Sequence, residues 1–160
     1  MSPEVNELLE KIVGQPCTRK EVGSLRSLSL GFGDEAPAES KKRNRQYRLW
    51  EIGTYSGAWQ IINRDAVLLS KDLGGNPDEL DARLQTIPLG RFKAVRQISK
   101  TDVEVVLDNE LIVRVSGNAG DDDEYFHVFC PEERYVEFSK SGWVVGRSDA
   151  PWTSDTTVIL

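Results

Sequence analysis

A mainly β chain of the α+β class is expected, arranged as a strongly curved antiparallel sheet or partly open barrel with an N-terminal helix packed on it and a second short helix. Three observations lead there. Apolar side chains beyond residue 25 recur mostly at every second position, the period of a half-buried strand. About nine or ten such runs follow one another across turns too short for a parallel crossover, so neighbours must pair antiparallel. Helical periodicity is confined to two stretches.

The first of these opens the chain. Val5, Leu8, Leu9, Ile12 and Val13 make one apolar stripe at i, i+3, i+4, i+7 and i+8. Ser2 can cap the helix, Pro3 suits its first turn, and Gly14 supplies the stop. From Leu28 the period changes, with Leu28, Leu30 and Phe32 alternating with Ser29 and Gly31. Residues 33–45 hold no large apolar side chain and read as a mobile loop. The block after it reads as a hairpin, residues 46–53 pairing with 58–63 around Thr54, Tyr55, Ser56 and Gly57, and Ala66–Leu69 extends it to a three-stranded meander. The second helix starts at Asn76-Pro77-Asp78-Glu79, with Asn76 as cap, and carries the thin stripe Leu80, Leu84, Ile87 before Pro88 ends it. Beyond Phe92–Ile98 comes the cleanest hairpin, Val103, Val105 and Leu107 against Leu111, Val113 and Val115. Strands follow at Glu124–Cys130, Arg134–Ser139 and Trp143–Val145, and 146–160 reads as an extended tail.

The 160 residues suit a single domain over 1–160, and 39% hydrophobic residues are enough for a real core. No apolar run exceeds four residues, far short of the roughly 18 of a spanning helix. The start MSPEVNELLEK is acidic where a secretory signal is basic, so a cytoplasmic location away from membranes is expected. Cys17 and Cys130 form no ligand or redox pair, which agrees with a reducing compartment; Cys17 falls in a polar loop and Cys130 ends an apolar run.

The formal net charge of −6 is unevenly placed. Residues 1–50 carry +2, residues 51–100 carry +1, and residues 101–160, with four basic against thirteen acidic side chains, carry −9. An acidic face attracts basic partners and repels nucleic-acid backbones. The short KKRNR tract at 41–45 makes too few phosphate contacts to reverse that expectation. The candidate partner-binding residues are therefore Asp121, Asp122, Asp123 and Glu124 with Tyr125 beside them, joined by Tyr55 in a turn and Trp152 in the tail as aromatic anchors. Whether that acidic loop also takes a divalent cation is left open, because the ligand order of a helix–loop–helix calcium site is not matched.

His127 is the only histidine, so zinc sites needing two or three of them are excluded. It is the one weak catalytic candidate, as a general base with an unidentified nucleophile or carboxylate. Asp102 and Glu104 share a strand face, where polar-out alternation is the ordinary explanation. No glycine-rich phosphate loop is present, and neither a metal nor a cofactor is expected.

Trp50-Glu51-Ile52-Gly53-Thr54-Tyr55 with Trp59, together with Ser27–Gly33 and Phe126-His127-Val128-Phe129, is similar to segments of a group of small uncharacterised bacterial β-rich proteins, some regarded as immunity-like. The similar segments span about half the chain. The resemblance implies a cytoplasmic antitoxin or housekeeping role, with no catalytic residues to carry over. A non-catalytic interaction domain that meets a basic partner, such as a toxin, through an acidic surface is thus expected ahead of the alternative, a small hydrolase-type enzyme using His127.

Overall fold

The computed structural model describes residues 1–36, 47–55, 57–118, 120, 123–147 and 157–159. In chain order they form α1 (Pro3–Glu10), β1 (Cys17–Val22), β2 (Leu28–Glu35), β3 (Arg48–Gly53), β4 (Ala58–Asn63), β5 (Ala66–Ser70), α2 (Pro77–Gln85), β6 (Phe92–Gln97), β7 (Asp102–Leu107), β8 (Leu111–Ser116), β9 (Phe126–Cys130), β10 (Arg134–Ser139), β11 (Gly142–Arg147) and β12 (Thr157–Ile159).

The strands make two separate antiparallel sheets. One has the order β1-β2-β3-β9-β10-β11-β12, the other β5-β4-β8-β7-β6. The expectation of one strongly curved sheet or partly open barrel is therefore corrected: this is a mixed fold of two helices and two antiparallel sheets, and neither sheet closes on itself. The point of departure is the stretch expected to be a hairpin. β3 pairs with β2 and β9, whereas β4 pairs with β5 and β8, so β3 and β4 lie in different sheets and the meander does not exist. Thr54 explains the hand-over. Its amide donates to the Leu28 carbonyl at 3.1 Å and its hydroxyl oxygen accepts the Leu28 amide at 3.1 Å, which ties the end of β3 to β2. The chain then leaves for the other sheet instead of folding back on itself.

Each sheet turns one face to a shared core. Leu28, Leu30, Phe32, Ile52, Phe126, Val128, Val136 and Phe138 come from the first, and Trp59, Ile61, Val103, Val105 and Val113 from the second. Burying each of these aliphatic or aromatic side chains stabilises the fold by about 1.5–3 kcal/mol before entropy is counted. Two indole tips find acceptors: Trp59 Nε1 donates to the Arg26 carbonyl at 2.7 Å, and Trp143 Nε1 to Gln97 Oε1 at 2.9 Å across the two sheets, whereas the buried Trp50 Nε1 has no partner among the described residues.

The helices sit along the open sides between the sheets. α1 touches β11 of one sheet and β6 of the other, with Val5, Leu9 and Ile12 buried and Val13 half exposed. Ser2 caps it, Oγ accepting the Val5 amide at 3.3 Å. α2 touches β1 and β5 through Leu80 and Leu84, and Asn76 Oδ1 caps it by accepting the Glu79 amide at 2.9 Å. Gly33, Asp34 and Glu35, expected in a loop, belong to β2, while 37–46 lie outside the described residues. Gly146 and Arg147 end β11, and residues 157–159 pair with it; the rest of the expected tail lies outside the described residues.

Candidate functional site: the outward face of the seven-stranded sheet

The side of the larger sheet turned away from the core is unusually polar. Two rows of residues cross it in register. One runs Glu21, Ser29, Gly53, His127, Glu137; the other runs Arg19, Gly31, Glu51, Phe129, Tyr135. Both rows contain a glycine, and the glycines are what make the face concave. A Cβ on Gly53 would lie 2.4 Å from His127 Nε2, and one on Gly31 would lie 2.5 Å from Glu51 Oε2. Large polar side chains from the neighbouring strands lie over the backbone at those two points, a use of glycine where other groups approach closely. On this face lies a cavity of about 390 Å³, lined from the two rows by Arg19, Glu21, Ser29, Glu51, Gly53, His127 and Phe129, with Tyr47, Tyr55 and Glu133 beside them.

The floor has two ends. At the β1 end Arg19 lies 4.9 Å from the centre of the Tyr47 ring, within cation–π range. Its Nη1 donates to Glu51 Oε1 at 2.9 Å and to Ser29 Oγ at 3.0 Å, and its Nη2 pairs with Glu21. Glu51 is almost fully buried and also accepts the Arg48 amide at 2.7 Å. Charge-assisted bonds of this kind offset the cost of withdrawing a carboxylate from water.

At the β9 end His127 is 7% exposed. Its Nδ1 contacts Glu124 Oε1, and its ring lies 4.6 Å from Phe129 and 5.2 Å from Tyr55, centre to centre. Glu137, opposite His127 on β10, hydrogen-bonds Glu124 in turn. Burial, then the hydrogen bond and the negative charge of Glu124, push Glu137 up to about 7. Burial first, and then the same two glutamates, push the Tyr55 phenol up as well. Withdrawal from water and a neighbouring carboxylate both disfavour the ionised form of Glu137.

The expected partner-binding residues are not gathered in one exposed loop. Asp123 is exposed, but Glu124 turns in to His127 and Tyr125 is fully buried. Tyr125 stacks edge-on against Phe138 and donates its hydroxyl to the Asn118 carbonyl at 2.9 Å, so the core and a turn use both parts of that side chain. Tyr55 is 62% exposed and stands on the cavity rim. Asp121, Asp122 and Trp152 lie outside the described residues. Among the described residues, no group of three or more His, Cys, Asp or Glu side chains is arranged to hold a metal ion.

The acidity of the last third is also divided. Glu104 faces outward on the five-stranded sheet, where Arg96 and Arg114 hold it at 3.1 and 2.5 Å, and Glu110 pairs with Arg64 at 3.1 Å. Glu124, Glu133 and Glu137 remain near the cavity, joined there by Glu21 and Glu51 from the first third. Of the site, sequence reasoning singled out His127, Tyr55 and Glu124. It missed β1 altogether, because CTRKEV shows no apolar alternation. A usable signal existed in Glu51 and Gly53, a carboxylate and a glycine on one face of an otherwise bulky strand. Cys17, expected in a loop, lies in β1, where burial pushes its thiol up to about 11 and leaves it a poor nucleophile. Among the described residues, no helix is long and apolar enough to cross a membrane.

No protein-family model matches the chain, and no similar curated protein or solved structure was found.

Proposed function

We propose that this protein is a non-catalytic recognition domain whose concave sheet face receives positively charged side chains of a basic protein partner. On this reading it is an immunity-like protein of the bacterial cytoplasm, and the partner is a toxin with a basic surface. One observation carries the reading. Among the described residues, the cavity is lined by the carboxylates Glu21, Glu51 and Glu133 and the aromatic rings Tyr47, Tyr55 and Phe129, with Arg19 as the guanidinium, engaged by Glu21 and Glu51. Carboxylates and ring faces both favour cations. A nucleic acid, which brings phosphates, would meet repulsion there.

The experiment is calorimetric titration with a short arginine-rich peptide at low and high salt. Tyr55→Ala and Glu133→Gln, both on the rim, should each weaken binding about three- to tenfold while moving the melting temperature little. Added salt should weaken it further. Binding unchanged by both substitutions would place the contact elsewhere.

A second reading, a small hydrolase using His127, has one observation in its favour: His127 opens into the cavity with a carboxylate on its other ring nitrogen, the arrangement of an oriented general base. Against it, no hydroxyl or thiol among the described residues hydrogen-bonds His127 Nε2, and the Cys130 thiol is buried on the core side. Turnover of a generic ester lost in His127→Phe would favour this reading.

A further inference from the structure

We propose that His127 Nε2 accepts an N–H hydrogen bond from a guanidinium, the head group of an arginine side chain, held between Tyr55 and Phe129 at the β9 end of the cavity. The inference rests on the recognition reading above and names the chemistry of the group received.

Three features of the cavity converge on it. The first is an unused acceptor. His127 is more than nine-tenths buried, and Nε2 makes no hydrogen bond with any described residue although it is a cavity-lining group. Nδ1 faces a carboxylate oxygen of Glu124, so in the neutral ring the proton resides on Nδ1 and Nε2 presents a bare lone pair. Nε2 is not one of the sealed, unpaired nitrogens of the described fold, which are Trp50 Nε1 and Arg134 Nε, so it stays open to a donor arriving from the cavity.

The second feature is the shortage of free donors among the described residues. The Arg19 donors that face the cavity go to Ser29, Glu51 and Glu21. The remaining lining is rich in carboxylate oxygens and ring faces. A ligand suited to it brings donors and positive charge together.

The third is the shape of the cation. Phe129 and Tyr55 flank His127 with tilts of 37° and 47° to its ring, so three flat groups meet at this end. A planar, weakly hydrated guanidinium stacks on such surfaces, whereas a compact, strongly hydrated ammonium gains less. The same sheet face already holds one guanidinium in this manner: Arg19 lies over Tyr47 and bonds to carboxylate and hydroxyl oxygens. Among the described residues, the β9 end offers similar ring faces and carboxylates with no arginine seated on them.

The test is long-range 1H–15N NMR of the His127 ring in the full chain near pH 8, titrated with argininamide and, separately, with lysinamide. Expected are a free ring with its proton on Nδ1, a saturable shift of Nε2 toward the hydrogen-bonded position with argininamide, and binding several-fold weaker for lysinamide. His127→Phe, close in shape, should weaken argininamide by about tenfold, the loss of one charge-assisted hydrogen bond. Saturable binding that leaves Nε2 unmoved overturns this inference and leaves the recognition reading standing. A ring carrying its proton on Nε2 in the free protein also overturns it. If argininamide produces no saturable shift anywhere, both fall.

Discussion

Glu137 shows most directly how local surroundings alter a side chain here. In the unfolded chain it would give up its proton near 4.5, whereas in the fold burial and Glu124 hold the proton to about 7. Between those values the folded state binds more protons than the unfolded state. Glu137 therefore contributes less to stability as pH rises through that window, and the loss is complete above about 7. Its side chain is only partly buried, so solvent screening keeps the effect modest. Glu137→Gln keeps a hydrogen bond to Glu124 and removes the ionisation. The variant should gain in melting temperature relative to the parent between about pH 5 and pH 8. A difference that is the same at both ends would mean that the fold does not hold the Glu137 proton more tightly than the unfolded chain does.

At the scale of strands, the site depends on what β3 lacks. Gly53 leaves the space that the His127 ring fills, and a methyl group there would overlap Nε2. Gly53→Ala should push the ring off Glu124 and cost about 1–3 kcal/mol of stability, the penalty of overpacking, where alanine in an ordinary strand would help. Chemical denaturation measures the cost, and the His127 resonances report the displacement; a neutral substitution would show that the ring is free to move. The same strand shows where sequence reading stopped. Both helices were legible because capping and periodicity act within a few residues: Ser2 and Asn76 cap as their positions imply. The hairpin of β7 and β8 was legible for the same reason. β3 and β4 were read as partners because they are adjacent and apolar, but pairing across sheets is decided by long-range contacts such as Thr54 with Leu28. β1 is an edge strand whose outward residues are charged, and such strands carry no hydrophobic period to detect.

For the molecule as a whole, charge acts through its placement more than its total. The carboxylates of the last third do not form one acidic surface: Glu104 and Glu110 are matched by arginines on the other sheet, and only part of the surplus reaches the cavity. What gathers charge there is topology, which brings Glu21 and Glu51 from early strands beside His127 of β9 and Glu133 of the turn after it. A count along the chain cannot see this, because the strands that meet, β3 and β9, are separated in sequence by the whole of the second sheet. The five-stranded sheet offers a built-in control, since the outward side chains around Glu104 are balanced by Arg96 and Arg114. The most direct measurement is backbone NMR mapping during titration with the arginine-rich peptide. The shifts should concentrate on Ser29, Glu51, Tyr55, His127 and Phe129 and spare the outward residues of β7 and β8. Shifts confined to β7 and β8, or spread without pattern over both sheets, would contradict the claim that the concave face is the recognition site.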